Sequence, residues 1–149
     1  MRYLLSILIF TLTTCAEKPN KKNVRFIDEG LMELVTSFEE DFGVHIGFEV
    51  RWVDTIHSGF IGVCNVQGSY RQVLMLRSYK NSIYLNQMLY HELGHCALNL
   101  QHDDSERDIM NSSVTPDVNY YWDFYVQQMI DKYLDSKYKT FIHGAGCSH

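Results

Sequence analysis

Five consecutive residues, His91-Glu92-Leu93-Gly94-His95, form an H-E-x-x-H sequence, and they carry the chemistry that stands out first. On a helix, positions i and i+4 lie one turn apart on the same face, so the two imidazoles can share one zinc ion. Glu92 then stands close enough to a metal-activated water to take its proton as general base. The plainer alternative is a pair of core histidines. It would require a buried partner for each polar group on a face that follows the apolar Met88, Leu89 and Tyr90. A catalytic zinc normally takes three protein ligands and keeps one position for water. The next candidates downstream are His102, then Asp103 and Asp104. Asn99 favours His102, because asparagine tolerates the left-handed conformation that ends a helix and lets the chain turn back. Asp103 stays open as the alternative third ligand.

The elements that must position these residues follow from periodicity. Asp28 reads as the cap of an amphipathic helix with Leu31, Leu34, Val35 and Phe38 at helical spacing and Gly43 as its stop. Over 44–53 the pattern changes to alternation, with Ile46, Phe48, Val50 and Trp52 on one face, which predicts a half-buried strand. Two further short strands are predicted at 60–64 and 72–76, joined by a turn around Gln67-Gly68, whereas 83–85 is ambiguous. The motif helix is expected at about 86–98, a loop at 101–116 and a last helix at about 119–138, with Trp122, Phe124, Tyr125, Met129 and Tyr133 as core. Helix, mixed strands, helix, loop, helix is an α+β order. Residues 24–149 make up one domain, large enough to bury a core.

The chain carries 13 basic and 18 acidic residues, a formal charge of −5, with no basic cluster to track a phosphate backbone, so nucleic acid is not an expected partner. The N-terminus is set apart. Met1-Arg2 is a short positive start, and the apolar run 3–12 is too short to cross a bilayer as a helix but fits the hydrophobic part of a secretory signal. Leu12-Thr13-Thr14-Cys15 resembles a bacterial lipobox, which implies a signal peptide over 1–15, a lipid on Cys15 and a polar tether at 16–23. An exported, lipid-anchored envelope protein is the expectation, with secretion after cleavage near Ala16 as the alternative. Too few cysteines remain (Cys64, Cys96 and Cys147) for a disulfide framework.

The run 91–102 followed by Asp108-Ile109-Met110 resembles the metzincin clan of zinc endopeptidases, whose pattern is H-E-x-x-H-x-x-G-x-x-H with a methionine turn beneath the metal. The resemblance extends to small secreted or lipoprotein zincins of bacteria. It implies a zincin-like α+β fold, ligands His91, His95 and His102, the base Glu92 and the turn methionine Met110. Six residues separate His95 from His102 where the clan has five, and Asn99 stands where glycine is usual. The resemblance further implies an edge strand, for which 60–64 is the candidate, that pairs with an extended peptide substrate. Cys64 and Cys96 are the candidate disulfide pair, because such an edge strand and the motif helix can lie adjacent. Tyr120 and Tyr121 stand where a tyrosine approaches the metal in astacins, although core packing suits them better. The reading is a monomeric zinc endopeptidase acting on peptide or protein. Its rivals are a zinc-holding scaffold without activity and a zinc hydrolase of non-peptide or cell-wall amides.

Overall fold

The computed structural model describes residues 22–144. The expected signal peptide with Cys15, most of the expected tether, and Cys147 lie outside them. The described residues form an α+β fold of three α-helices and a four-stranded mixed sheet. The strands are β1 (Phe26–Ile27), β2 (Glu49–Val53), β3 (Gly62–Gln67) and β4 (Tyr70–Leu76), and the helices are α1 (Met32–Phe42), α2 (Leu85–Leu98) and α3 (Trp122–Gly144). The sheet order is β1-β2-β4-β3, with β1–β2 and β2–β4 parallel and β3 antiparallel to β4. That order leaves β3 at an edge, beside α2.

The alternating face of residues 46–52 is the core face: Ile46, Phe48, Val50 and Trp52 are all buried. They meet Val73 and Met75 of β4, Val35 and Phe38 of α1, and Leu89 and Leu93 of α2 in one cluster. Strand pairing begins only at Glu49, because residues 44–48 find no ladder partner. Asp28 does not cap α1. Its carboxylate accepts the Trp52 backbone N–H at 2.7 Å, fixing β2 to the chain before the helix, and α1 begins at Met32 without a side-chain cap. Gly43 does stop α1, in the left-handed region at φ 60°. The predicted 60–64 strand is shifted to Gly62–Gln67, since the tight turn at Gly68 (φ 61°) sets where the hairpin closes.

The rear of α2 is held by rings. Tyr90 stacks edge-on against Phe38 (5.1 Å between centroids) and Trp122 (4.8 Å), and Phe42 meets Tyr133. The Tyr90 hydroxyl donates to Asp41 at 2.7 Å. Edge-to-face pairs of this kind are worth about 0.5–1.5 kcal/mol each beyond area burial. They tie α1, α2 and α3 together directly behind the motif. The last helix starts later than periodicity predicts, at Trp122, after a 3-10 turn over Pro116–Asn119. Tyr125, Met129 and Tyr133 are core and Trp122 packs against it, but Phe124 is 64% exposed, so the apolar stripe of α3 is narrower than expected. Tyr120 and Tyr121 are also exposed rather than core, because that 3-10 turn carries them outward ahead of α3.

Candidate metal centre

Helix α2 places His91 and His95 one turn apart, as the i, i+4 spacing requires. The helix ends at Asn99, whose φ of 57° and ψ of 32° are left-handed. This turn sends the Asn99 and Leu100 N–H groups to the Gly94 carbonyl and aims the Leu100 carbonyl at His95 Nδ1, 2.7 Å away. Beyond it the chain returns, and His102 Nε2 lies 3.1 Å from His91 Nε2. The six-residue spacing is thus accommodated by one left-handed residue. Asp103, the alternative third ligand, points elsewhere: its carboxylate takes Lys132 Nζ at 2.5 Å and the Ser105 N–H at 3.1 Å. Asp104 accepts the Ser112 N–H.

The hydrogen bonds settle which nitrogens carry protons. His91 Nδ1 meets the Ile109 carbonyl at 2.8 Å, and His95 Nδ1 meets the Leu100 carbonyl. A carbonyl oxygen only accepts, so both Nδ1 atoms donate and both Nε2 atoms present bare lone pairs. Those two lone-pair atoms face one another at 3.1 Å. Two acceptors at that distance repel unless a proton or a metal cation lies between them. A single proton on His102 relieves one such contact at most. The three ligand nitrogens lie within 4.8 Å of one another, and the histidines form the metal-competent group among the described residues. The 3.1 Å spacings are close to the edge of about 3.3 Å expected for a tetrahedron of zinc–nitrogen bonds of about 2.0–2.1 Å. The donor set therefore fits zinc, with Nδ1 of His91 and of His95 oriented by backbone in the way metal-bound histidines usually are.

Glu92 lies on the same helix and lines the same cavity of about 450 Å³ as the three histidines. Burial pushes its carboxyl up to about 7, opposed by a backbone hydrogen bond from Cys64. Burial likewise pushes His91 down to about 4, and His95 is lowered for the same first reason. The room for Glu92 comes from Gly62 of β3. A Cβ on that residue would lie 2.8 Å from Glu92 Cγ and 3.1 Å from Oε1. Cys64 and Cys96 are joined in a disulfide that ties β3 to α2 one residue after His95.

Comparison with family models, curated proteins and solved structures finds nothing that matches this chain. The site therefore rests on its own geometry.

Met110 is buried, and its sulfur packs so close to α2 that a Cβ on Gly94 would lie 2.6 Å from it. Gly94 is thus the residue that lets the 108–111 turn pass beneath the histidines. The buried Asp108 carboxylate accepts the Met110 N–H and pairs with Lys132. The other cavity walls are 59–64 on one side and 111–114 on the other. The buried Gln87 amide, oriented to satisfy both its ends, pairs with the N–H and carbonyl of Thr115 at 3.0 and 3.2 Å and so anchors the second wall. Neither Tyr120 nor Tyr121 lines this cavity.

Sequence reasoning did not single out Gly62, Gly94, Asp108 as an acceptor, or Lys132. For Gly94 the signal was available, since a glycine inside a helix costs about 1 kcal/mol against alanine and needs a packing reason. Lys132 gave none, because its partners lie 24 and 29 residues away.

Proposed function

We propose that this chain is a zinc-dependent endopeptidase of zincin-like, metzincin-type architecture, with His91, His95 and His102 as ligands and Glu92 as general base. The supporting observation is the pair of bare Nε2 atoms held face to face by two backbone carbonyls. A cation held between the lone pairs makes that arrangement favourable. Zinc in such a set polarises a carbonyl and acidifies water toward a pKa of about 7.

The chain's own residues supply the rest. Glu92 carries a carboxylate raised by burial into the range where it both accepts and returns a proton near neutrality. It takes the proton of the attacking water and delivers it to the leaving amine. The Cys64 N–H and the space at Gly62 hold the carboxylate in place. Among the described residues no strand pairs with the outer edge of β3, and 59–64 lines the cavity, so an extended peptide can add there as a further strand. The other groups on the cavity wall are uncharged, so apolar or small side chains suit it best.

A purely structural zinc usually closes with a fourth protein ligand and has no use for a glutamate placed beside it. The disulfide supports an oxidising destination, which agrees with export and lipidation at Cys15. The test is metal content and cleavage together. Protein lacking residues 1–15, reconstituted and desalted, should hold one zinc per chain and cleave peptides in a chelator-sensitive way. No retained zinc after reconstitution would end the proposal.

A further inference from the structure

Lys132 lies on α3, far along the chain from the motif, yet it is the cation on which two site segments converge. Its Nζ donates to Asp103 Oδ2 at 2.5 Å and also to Asp108. Asp103 directly follows the third ligand, and its N–H donates to the Met110 carbonyl at 3.0 Å. Asp108, almost wholly buried, accepts the Met110 N–H with its other oxygen and directly precedes Ile109, whose carbonyl orients His91. One ammonium therefore reaches both the strand of chain that delivers His102 and the turn that fixes the tautomer of His91.

We propose that Lys132 is the positioning residue of the metal centre, clamping the 102–103 and 108–110 segments together so that His102 is held against the His91–His95 pair. This rests on the metal reading above. Neither Lys132 nor Asp103 touches a ligand nitrogen, so their effect passes through the backbone. The backbone of the histidine pair on α2 is placed without the clamp, by helix geometry and by the ring contacts of Tyr90. His102 has no such support: it is exposed, lies in a loop, and its backbone neighbours are tied down by Asp103. An anion held at Asp103 by a cation on a separate helix restricts the loop, which lowers the ordering cost at the moment of metal binding. A merely structural role, neutralising the buried Asp108, would leave metal affinity untouched wherever the fold survives.

The experiment compares zinc affinity by chelator competition with the thermal midpoint of the metal-free protein. Asp103→Asn keeps an oxygen for Ser105 and loses the anion toward Lys132. It should weaken zinc by roughly tenfold, the lower end of the 10–100-fold range for supporting residues of metal sites, with the metal-free midpoint unchanged. Lys132→Met alone strands a buried charge and can unfold the protein. The pair Lys132→Met with Asp108→Asn avoids this and should also lose at least about tenfold. Lys132→Arg should restore most of the affinity. In a His102→Ala background Asp103→Asn should cost nothing further. Wild-type affinity in both Asp103→Asn and the double variant would overturn the clamp while leaving the metal centre standing. Affinity lost only in step with the metal-free midpoint would overturn it as well. A wild-type protein that binds no zinc would overturn both.

Discussion

Gly62→Ala separates the proposed base from the proposed metal site more cleanly than any change at the histidines. Its added methyl would meet Glu92 Cγ at 2.8 Å, Glu92 Oε1 at 3.1 Å and Met75 Sδ at 3.1 Å, with no histidine among its nearest contacts. Carbon atoms in contact normally stand about 3.5–4.0 Å apart, so the Glu92 stem must retreat by roughly 1 Å or β3 must move outward. Met75 is the easier group to displace, because its thioether is flexible. Overpacking of this kind costs about 1–3 kcal/mol of stability, which leaves a typical domain folded. A misplacement of about 1 Å at a reacting group costs on the order of 10²-fold in rate. Gly62→Ala should therefore bind zinc as tightly as wild type and cleave peptide about 10–100-fold more slowly, mostly through kcat. The assay is initial rate against substrate at saturating zinc, with chelator competition and urea unfolding on the same preparations. Wild-type kcat in a folded variant would refute the reasoning, since the position of Glu92 would then be immaterial. Loss of zinc parallel to the loss of rate would refute it differently, by showing that β3 acts on the metal.

Two further outcomes follow from the same geometry. Burial holds His91 at about 4, below its ordinary value of 6.5. The unfolded chain therefore binds the extra proton first, so His91 should subtract on the order of 3 kcal/mol from the stability of the metal-free protein as pH falls from about 6.5 toward 4. Glu92, raised to about 7, acts in the opposite sense over the same range and makes the comparison with a His91 variant necessary. Urea midpoints of metal-free wild type against His91→Gln over pH 4–7 check this, and a pH dependence equally steep in the variant would contradict it. The disulfide closes a span of 32 residues, so a reductant, or Cys64→Ser with Cys96→Ser, should remove about 3–4 kcal/mol of stability. Equal urea midpoints with and without dithiothreitol would contradict that.

The motif was legible because its spacing is a property of the helix alone: four residues per step put His91 and His95 together whatever surrounds them. The left-handed end at Asn99 was legible for a similar reason, since residue type and backbone conformation are coupled locally. The core face of 46–52 and the α+β order also follow from local alternation. What was not legible depends on partners distant in sequence. Asp28 looked like a helix cap by its position but bonds instead to Trp52, 24 residues on. β1 is two residues long, too short for any periodicity, and exists only because β2 offers it a parallel partner. Phe124 reads as core from spacing, yet α3 buries only the stripe that faces Phe42 and Tyr90, and Phe124 falls outside it. Lys132 looked like any solvated lysine until Asp103 and Asp108 came round to it.

Peptide cleavage by Glu92→Ala against wild type, at matched zinc content, tests the central claim most directly. The substitution removes the proposed base and none of the three proposed ligands, so zinc should stay bound. General acid–base catalysis contributes roughly 10²- to 10⁴-fold, and cleavage should fall by at least the lower figure. A Glu92→Ala protein that cleaves as fast as wild type, or a zinc-loaded wild type that cleaves nothing across a broad peptide library, would contradict it.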